Sequence, residues 1–267
     1  MPDFRNYDTI SPAYREQILA LDEIWKKHLG GAFVGLYIHG SLCLGCFQEG
    51  VSDIDALILT ARKLTTEERA AITADVLKLD GKPAPLEMSA ICISDLTPWK
   101  HPVLCQFHYS DYWKERCRDY LEGRSDYAFV ITHEFDDPDL TSYIRLLRQC
   151  GICVEGQPVE QIFPHISDED FWAAISCDTE DYDFHAYNPR YFASNILILG
   201  RILSFKRERR ILSKYDGGLW TIDHVPDRFR GIVADALRVW YDGGVMPEYD
   251  ESELTALRDY LVSEIQN

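Results

Sequence analysis

The chain lacks any apolar run of about 18 residues or more, so no membrane-spanning helix is expected. It also lacks an apolar stretch close behind Met1-Pro2-Asp3-Phe4-Arg5-Asn6, so that segment does not read as a signal peptide, and a cytoplasmic location is expected. Basic side chains are scarce: 27 Lys and Arg stand against 44 Asp and Glu, a formal net charge of −17. Nucleic-acid affinity rests largely on neutralised phosphates, so no nucleic-acid partner is expected. An acidic chain suits a small cationic partner drawn in by long-range attraction. Internal repeats and low-complexity tracts are missing as well.

The 267 residues, 46% of them hydrophobic, suffice for one large or two modest folded domains. Eight cysteines are present. Cys43-x-x-Cys46 and Cys150-x-x-Cys153 have zinc-like spacing. However, Cys43, Cys92, Cys150 and Cys177 fall in segments with strand or helix patterning, where a reduced thiol acts as a small buried hydrophobe. No metal is assigned to the cysteines.

Hydrophobic periodicity orders the chain. Ser11 to Leu29 has helical spacing, with Ile18, Leu19, Leu21, Ile24 and Trp25 on one face, and Gly30-Gly31 ends it. Phe33 to Ile38 reads as a strand, Ser41 to Phe47 as a short helix and Asp53 to Thr60 as a strand. Thr65 to Leu79 is a helix opened by capping and dipole signals in Thr65-Thr66-Glu67-Glu68. Pro85 to Ile93 is a further strand. Residues 95–122 are aromatic and irregular and end in a helix. Tyr127 to Thr132 reads as a strand, Pro138 to Gln149 as a helix, and 151–154 as extended. The alternation predicts an α/β domain with a small mixed sheet over residues 1–157. After Gly156-Gln157-Pro158 no convincing strand remains, and segments 167–183, 187–208, 226–241 and 250–265 have helical spacing. An all-α domain is expected from 158 to 267, giving an α+β chain overall.

The chemistry concentrates between residues 39 and 60. Gly40-Ser41 follows the first strand, and Asp53 and Asp55 open the second. Residues i and i+2 of a strand share a face, so these two carboxylates project side by side. Two such acids repel unless a cation sits between them. Mg²⁺ commonly takes one or two protein carboxylates and completes its shell with water and substrate phosphates. Gly40 lets backbone approach a ligand, and Ser41 offers a hydroxyl and an N–H to a phosphate. Glu87, flanked by apolar neighbours in the third strand, is costly there without a partner. It could complete a carboxylate triad on the metal, or stand off it and take a proton from an attacking hydroxyl.

Gly40-Ser41 and Ser52-Asp53-Ile54-Asp55 resemble the signature of the nucleotidyltransferase superfamily related to DNA polymerase β. With Pro85-Leu86-Glu87, the Leu96-to-Pro102 segment, Leu199-Gly200-Arg201 and the stretch from Ile211 to Trp220, nearly the whole chain resembles the aminoglycoside adenylyltransferases that modify streptomycin and spectinomycin. Val225-Pro226-Asp227-Arg228-Phe229 continues the likeness. The resemblance implies an enzyme that moves AMP from ATP to a hydroxyl of the antibiotic and releases pyrophosphate, with the nucleotide between the two domains. It implies Mg²⁺ on Asp53 and Asp55, phosphate contacts from Gly40, Ser41 and Ser52, and Glu87 as general base. Arg201 and Lys214 would reach the triphosphate, and Trp240 or Tyr241 would pack on the nucleotide.

The acceptor side is read from residues 167–183, which hold seven acids and no Lys or Arg. Either these form a solvated face or they form a wall for ammonium groups. Tyr112, Trp113, Asp181, Tyr182, Asp183, His185 and Tyr187 are the candidate acceptor-binding residues. Where streptomycin-modifying members carry a tryptophan and an aspartate, an ungapped reading here gives Tyr182 and Tyr187, which favours spectinomycin. The alternatives are transfer to a protein hydroxyl or another small hydroxylated amine, or a non-catalytic nucleotide-binding module. A monomer is favoured.

Overall fold

The computed structural model describes residues 2–177, 179–182 and 189–267. The chain divides into two compact units, Asp3–Ala174, and Ile175–Asn267 together with Pro2. The first opens with α1 (Pro12–Leu29), β1 (Phe33–Ile38), a single turn α2 (Gly40–Cys43) and β2 (Ile54–Thr60). Then come α3 (Thr66–Leu79), β3 (Leu86–Cys92), the short strands β4 (Val103–Cys105) and β5 (Phe107–Tyr109), and α4 (Asp111–Leu121). The turn α5 (Phe129–Thr132), β6 (Phe135–Asp137), α6 (Asp139–Cys150), β7 (Ile152–Glu155) and the turn α7 (Val159–Ile162) complete it.

The main sheet has the order β5-β3-β2-β1-β7, with β2 and β3 parallel and the other neighbours antiparallel. One face carries Leu36, Ile38, Ile54, Ala56, Ile58, Leu86, Met88 and Ala90, all buried against Ile18, Leu21 and Trp25 of α1 and Ile72 and Val76 of α3. Each fully buried side chain of this size contributes about 1.5–3 kcal/mol, so the face that α1 and α3 cover dictates the register. With side chains alternating along each strand, the other face receives Tyr37, Asp55, Leu57, Glu87 and Ser89. Helix α3 starts on a capping box: Thr65 accepts from the Glu68 backbone N–H, and the Glu68 side chain accepts from that of Thr65.

The second unit is helical. α8 (Asp168–Ser176) runs across the boundary in the chain, and α9 (Pro189–Glu208), α10 (Lys214–His224), α11 (Asp227–Asp242) and α12 (Glu251–Gln266) follow. Ser213 caps α10 by accepting from the Asp216 N–H at 3.0 Å. Gly217 and Gly218 let α10 approach its neighbours closely. A Cβ on Gly218 would stand 2.8 Å from Leu197 of α9 and 2.7 Å from Leu237 of α11.

Four expectations change. Residues 127–132 form no strand: Phe129–Thr132 is a helical turn, and the strand lies further on at Phe135–Asp137, paired with Val103–Cys105. The β-branched composition there is satisfied by packing Val130 and Ile131 against Cys117 instead. The helix expected from Ser41 to Phe47 stops at Cys43, and Phe47 makes an isolated bridge to Arg5. Residues 158–174 belong to the first unit rather than the helical one, because Phe163 packs on Tyr37 and Arg148 donates to the Phe163 carbonyl at 2.7 Å. Cys177 is exposed; all eight cysteines are free, and Cys46, Cys92, Cys105 and Cys117 are the buried ones. Among the described residues, no helix is long and apolar enough to cross a membrane.

Candidate active site

The site lies at one end of the two parallel central strands. Asp55 and Glu87 are direct partners in the β2–β3 register, so their side chains leave the sheet on the same face. Asp53 sits two residues ahead of Asp55, at the mouth of β2. Each of the three offers a carboxylate oxygen within 4.8 Å of the others, and all three are partly buried. In both strands the residues beyond Asp55 and Glu87 are buried to the far end. The acids therefore mark the one place in these strands where the sheet opens toward solvent.

The turn α2 faces these acids. Gly40 takes a φ of +65°, and a Cβ there would overlap the Asp55 carboxylate and come within 2.8 Å of the Asp55 Cβ. The backbone thus comes as close to the acid as only glycine allows. The His39 N–H donates to the Asp55 carbonyl at 3.1 Å, which fixes β1 to β2 at this point. The Ser41 hydroxyl is buried and finds no hydrogen-bond partner within the chain. A buried hydroxyl of that kind is costly unless a ligand uses it. Clustered oxygen ligands, a glycine cradle and an unpaired hydroxyl fit a hard cation with a phosphate bound to it. The Ser52 hydroxyl is used otherwise: it accepts from the Gln48 N–H at 3.0 Å and holds the turn before Asp53.

Helix α6 covers the same face. The Tyr143 hydroxyl donates to Glu87 Oε1 at 3.3 Å, and its ring stacks on His39 with centroids 4.4 Å apart. Burial, then the negative charge of Glu87, raises the Tyr143 phenol well above its ordinary value. Cys43 of α2 meets Cys150 of α6 with sulfurs 3.1 Å apart. Sharing a proton with Cys150, burial and the nearby Asp55 all push the Cys43 thiol up. The zinc-like spacings therefore resolve into a contact between the two Cys-x-x-Cys segments.

His39 is 3% exposed, and burial lowers its pKa from 6.5 to about 3. The folded chain binds this proton more weakly than the unfolded chain does. The contribution of His39 is thus complete above pH 6.5 and shrinks as the pH falls toward 3. At pH 5 the loss is on the order of 2 kcal/mol. Urea unfolding at pH 7.5 and pH 5 should show it, and a His39→Gln variant should lose less on acidification; an equal loss would remove His39 as the cause.

In the second unit, Lys214 places its ammonium 4.0 Å from the Trp240 ring centroid, and Tyr241 packs edge-on against Tyr215 at 5.2 Å. Arg201 lies against Gly217, whose Cβ would stand 2.5 Å from Arg201 Cγ. The Gly217-Gly218 pair thereby brings the Arg201 helix and the Lys214 helix together. Tyr112 is 70% exposed, and it and Trp113 pack with Arg116, whose guanidinium lies 4.9 Å and 5.0 Å from their ring centroids. Trp113 also contacts Phe129, so this pair belongs to a cluster around α4 and α5. Asp181 is exposed, and the Tyr182 carbonyl accepts from Arg258 at 2.8 Å. Asp183, His185 and Tyr187 lie outside the described residues. Two acids of the expected wall have structural partners instead. Asp168 pairs with Arg145 at 2.7 Å, and Asp170 accepts from the Trp99 indole at 2.9 Å. Tyr143 and His39 were missed by sequence reasoning; a lone tyrosine on an amphipathic helix carries no signal until the sheet face is known.

A mixed sheet with Gly-Ser at the end of its first strand and three convergent carboxylates at the mouth of its parallel pair fits a nucleotidyltransferase fold. Residues 161–264 match the family described as aminoglycoside adenylyltransferase, C-terminal domain. Spectinomycin 9-adenylyltransferase of Campylobacter jejuni is 26% identical over 267 residues, covering 95% of this chain and 96% of the relative. The Staphylococcus aureus enzyme of the same name is 24% identical over 252 residues, covering 91% and 92%. A crystal structure of spectinomycin adenyltransferase from Enterococcus faecalis with ATP and spectinomycin superposes with a TM-score of 0.81 at 20% identity, over 95% of this chain and 99% of that one. That likeness shows the fold. The C-terminal part of the chain matches the aminoglycoside adenylyltransferase family, nearly the whole chain is similar to the spectinomycin 9-adenylyltransferases, and the protein is an adenylyltransferase.

Proposed function

We propose that the protein transfers AMP from ATP to a hydroxyl of spectinomycin and releases pyrophosphate in a Mg²⁺-dependent reaction. The observation that carries the chemistry is the convergence of Asp53, Asp55 and Glu87 within 4.8 Å beside the glycine cradle. The choice of acceptor is supported by the relatives, which act on spectinomycin and share their length with this chain.

In this reading Asp53 and Asp55 would hold Mg²⁺, which when bound supplies charge neutralisation at the α-phosphate and the leaving pyrophosphate. Ser41 directs its buried hydroxyl to a phosphate oxygen. Glu87 accepts the proton of the acceptor hydroxyl as that oxygen attacks the α-phosphorus. A bond forms between the acceptor oxygen and phosphorus, the bond to the bridging oxygen breaks, and its electron pair leaves with pyrophosphate. A sugar-like hydroxyl does not ionise unaided near neutrality, so a positioned base contributes about 10²–10⁴-fold. Arg201 and Lys214 are proposed as the cations for the triphosphate, Arg as a planar fork and Lys as a point charge. Trp240 or Tyr241 is proposed to pack on the nucleotide. The proposed domain assignment gives the helical part of the chain this role of completing the ATP and acceptor site. The protein is proposed to act in the cytoplasm.

The test is pyrophosphate release by purified protein with ATP, Mg²⁺ and either spectinomycin or streptomycin, with the product mass recorded. Adenylylated spectinomycin is the expected product. Turnover of streptomycin alone would overturn the choice of acceptor. AMP found only on protein would replace the small-molecule reading.

A further inference from the structure

The geometry points to Tyr143 as a positioning residue for Glu87, a role that rests on Glu87 being the base. Glu side chains carry three rotatable bonds, and the last torsion is broad and roughly two-fold. A base with that freedom spends much of its time facing the wrong way. Glu87 has its backbone fixed by pairing with Asp55 in β3, but that leaves the carboxylate to be oriented by its neighbours. Tyr143 supplies such a neighbour from across the sheet face. Its hydroxyl donates to Glu87 Oε1 at 3.3 Å, a long contact for an O–H donor on a carboxylate.

The donor is itself held. The Tyr143 ring lies almost parallel to His39, at 23° and 4.4 Å between centroids. His39 is buried and joined through its N–H to the Asp55 carbonyl. The same junction that places Gly40 against Asp55 therefore places the aromatic platform under Tyr143. The phenol is buried beside Glu87, which favours its protonated form, so it acts toward Glu87 as a donor. Tyr143 thus engages Oε1 of Glu87 and limits the orientations open to the carboxylate.

Tyr143→Phe removes the hydroxyl and keeps the ring on His39. With ATP, Mg²⁺ and spectinomycin, kcat is expected to fall about 10-fold, because misplacement of a catalytic group by about 1 Å costs up to roughly 10²-fold. The KM values for ATP and spectinomycin should stay within about two-fold, since the substitution touches the base rather than the substrates. Metal-dependent ATP binding, followed by calorimetry, should be unchanged and reports that the variant is folded. The second measurement is the Tyr143→Phe, Glu87→Gln double variant. If Tyr143 acts through Glu87, it loses no more activity than Glu87→Gln alone. A normal kcat for Tyr143→Phe, a loss confined to KM, or full additivity with Glu87→Gln would overturn the assignment. Normal turnover by Glu87→Gln would instead remove the base itself, so the two failures are distinguishable.

Discussion

Glu87→Gln is expected to cut kcat by about 10²–10⁴-fold while leaving ATP binding intact, the range that removal of a positioned general base spans. The amide keeps the size of the side chain and can still accept one hydrogen bond from Tyr143, so the local packing survives. It cannot take a proton. One negative charge is also lost from a cluster in which three carboxylate oxygens lie within 4.8 Å of each other. Mutual repulsion falls, so the empty protein should be as stable as the parent or slightly more so. The combination is diagnostic: stability retained, ATP bound, turnover gone. Calorimetry, thermal melting and pyrophosphate release on one preparation check it. A variant that binds ATP and turns over normally would show that the acceptor proton leaves by another route, and Glu87 would then be only part of the cation site.

The strand half of this site was open to sequence reasoning for a physical reason. Strand side chains alternate with a period of two, so Asp53 and Asp55 could be set on one face without coordinates. Glu87 stood out because it interrupted an apolar strand, and its pairing with Asp55 follows once β2 and β3 run parallel. What stayed hidden depends on contacts between distant segments. Tyr143 and Glu87 are 56 positions apart and meet only because α6 lies on the face that α1 and α3 do not cover. Helix α10 was not recognised as a helix, because Gly217-Gly218 lowers helix propensity there. The pair is explained only by the close approach of Leu197, Leu237 and Arg201. Residues 127–132 misled in the opposite direction: β-branched composition suggested a strand, and packing around Cys117 made a turn. The acids of 167–183 could be read as a solvated face or as a wall for ammonium groups, and Asp168 and Asp170 are engaged by Arg145 and Trp99. Local charge density cannot reveal which acids already have partners.

Gly40→Ala should damage the site severely. Two costs add at this position. The backbone φ of +65° lies in the left-handed region, where a non-glycine residue is strained by about 1–2 kcal/mol. The new methyl would also overlap the Asp55 carboxylate and stand 2.8 Å from its Cβ, a separation no relaxed pair of carbons adopts. Something must move, and two of the neighbours resist. Asp55 is locked in the β2–β3 ladder, and the His39 N–H is bonded to the Asp55 carbonyl. The Asp55 side chain is the softest element, so it should swing out of the cluster and take a ligand for the cation with it. The expected result is a loss of more than about 10²-fold in kcat/KM, since about 1 Å of misplacement already costs that much. Metal-dependent ATP binding should weaken, which Glu87→Gln does not predict. Gly30→Ala is the matched control. Gly30 has a φ of +51°, but a Cβ there meets nothing within 4 Å, so it bears the strain without the collision. Gly30→Ala should melt slightly earlier and turn over normally. Equal loss of activity in both variants would mean that backbone strain, rather than displacement of Asp55, is responsible, and a fully active Gly40→Ala would show that the close approach of α2 to Asp55 is not required for the reaction.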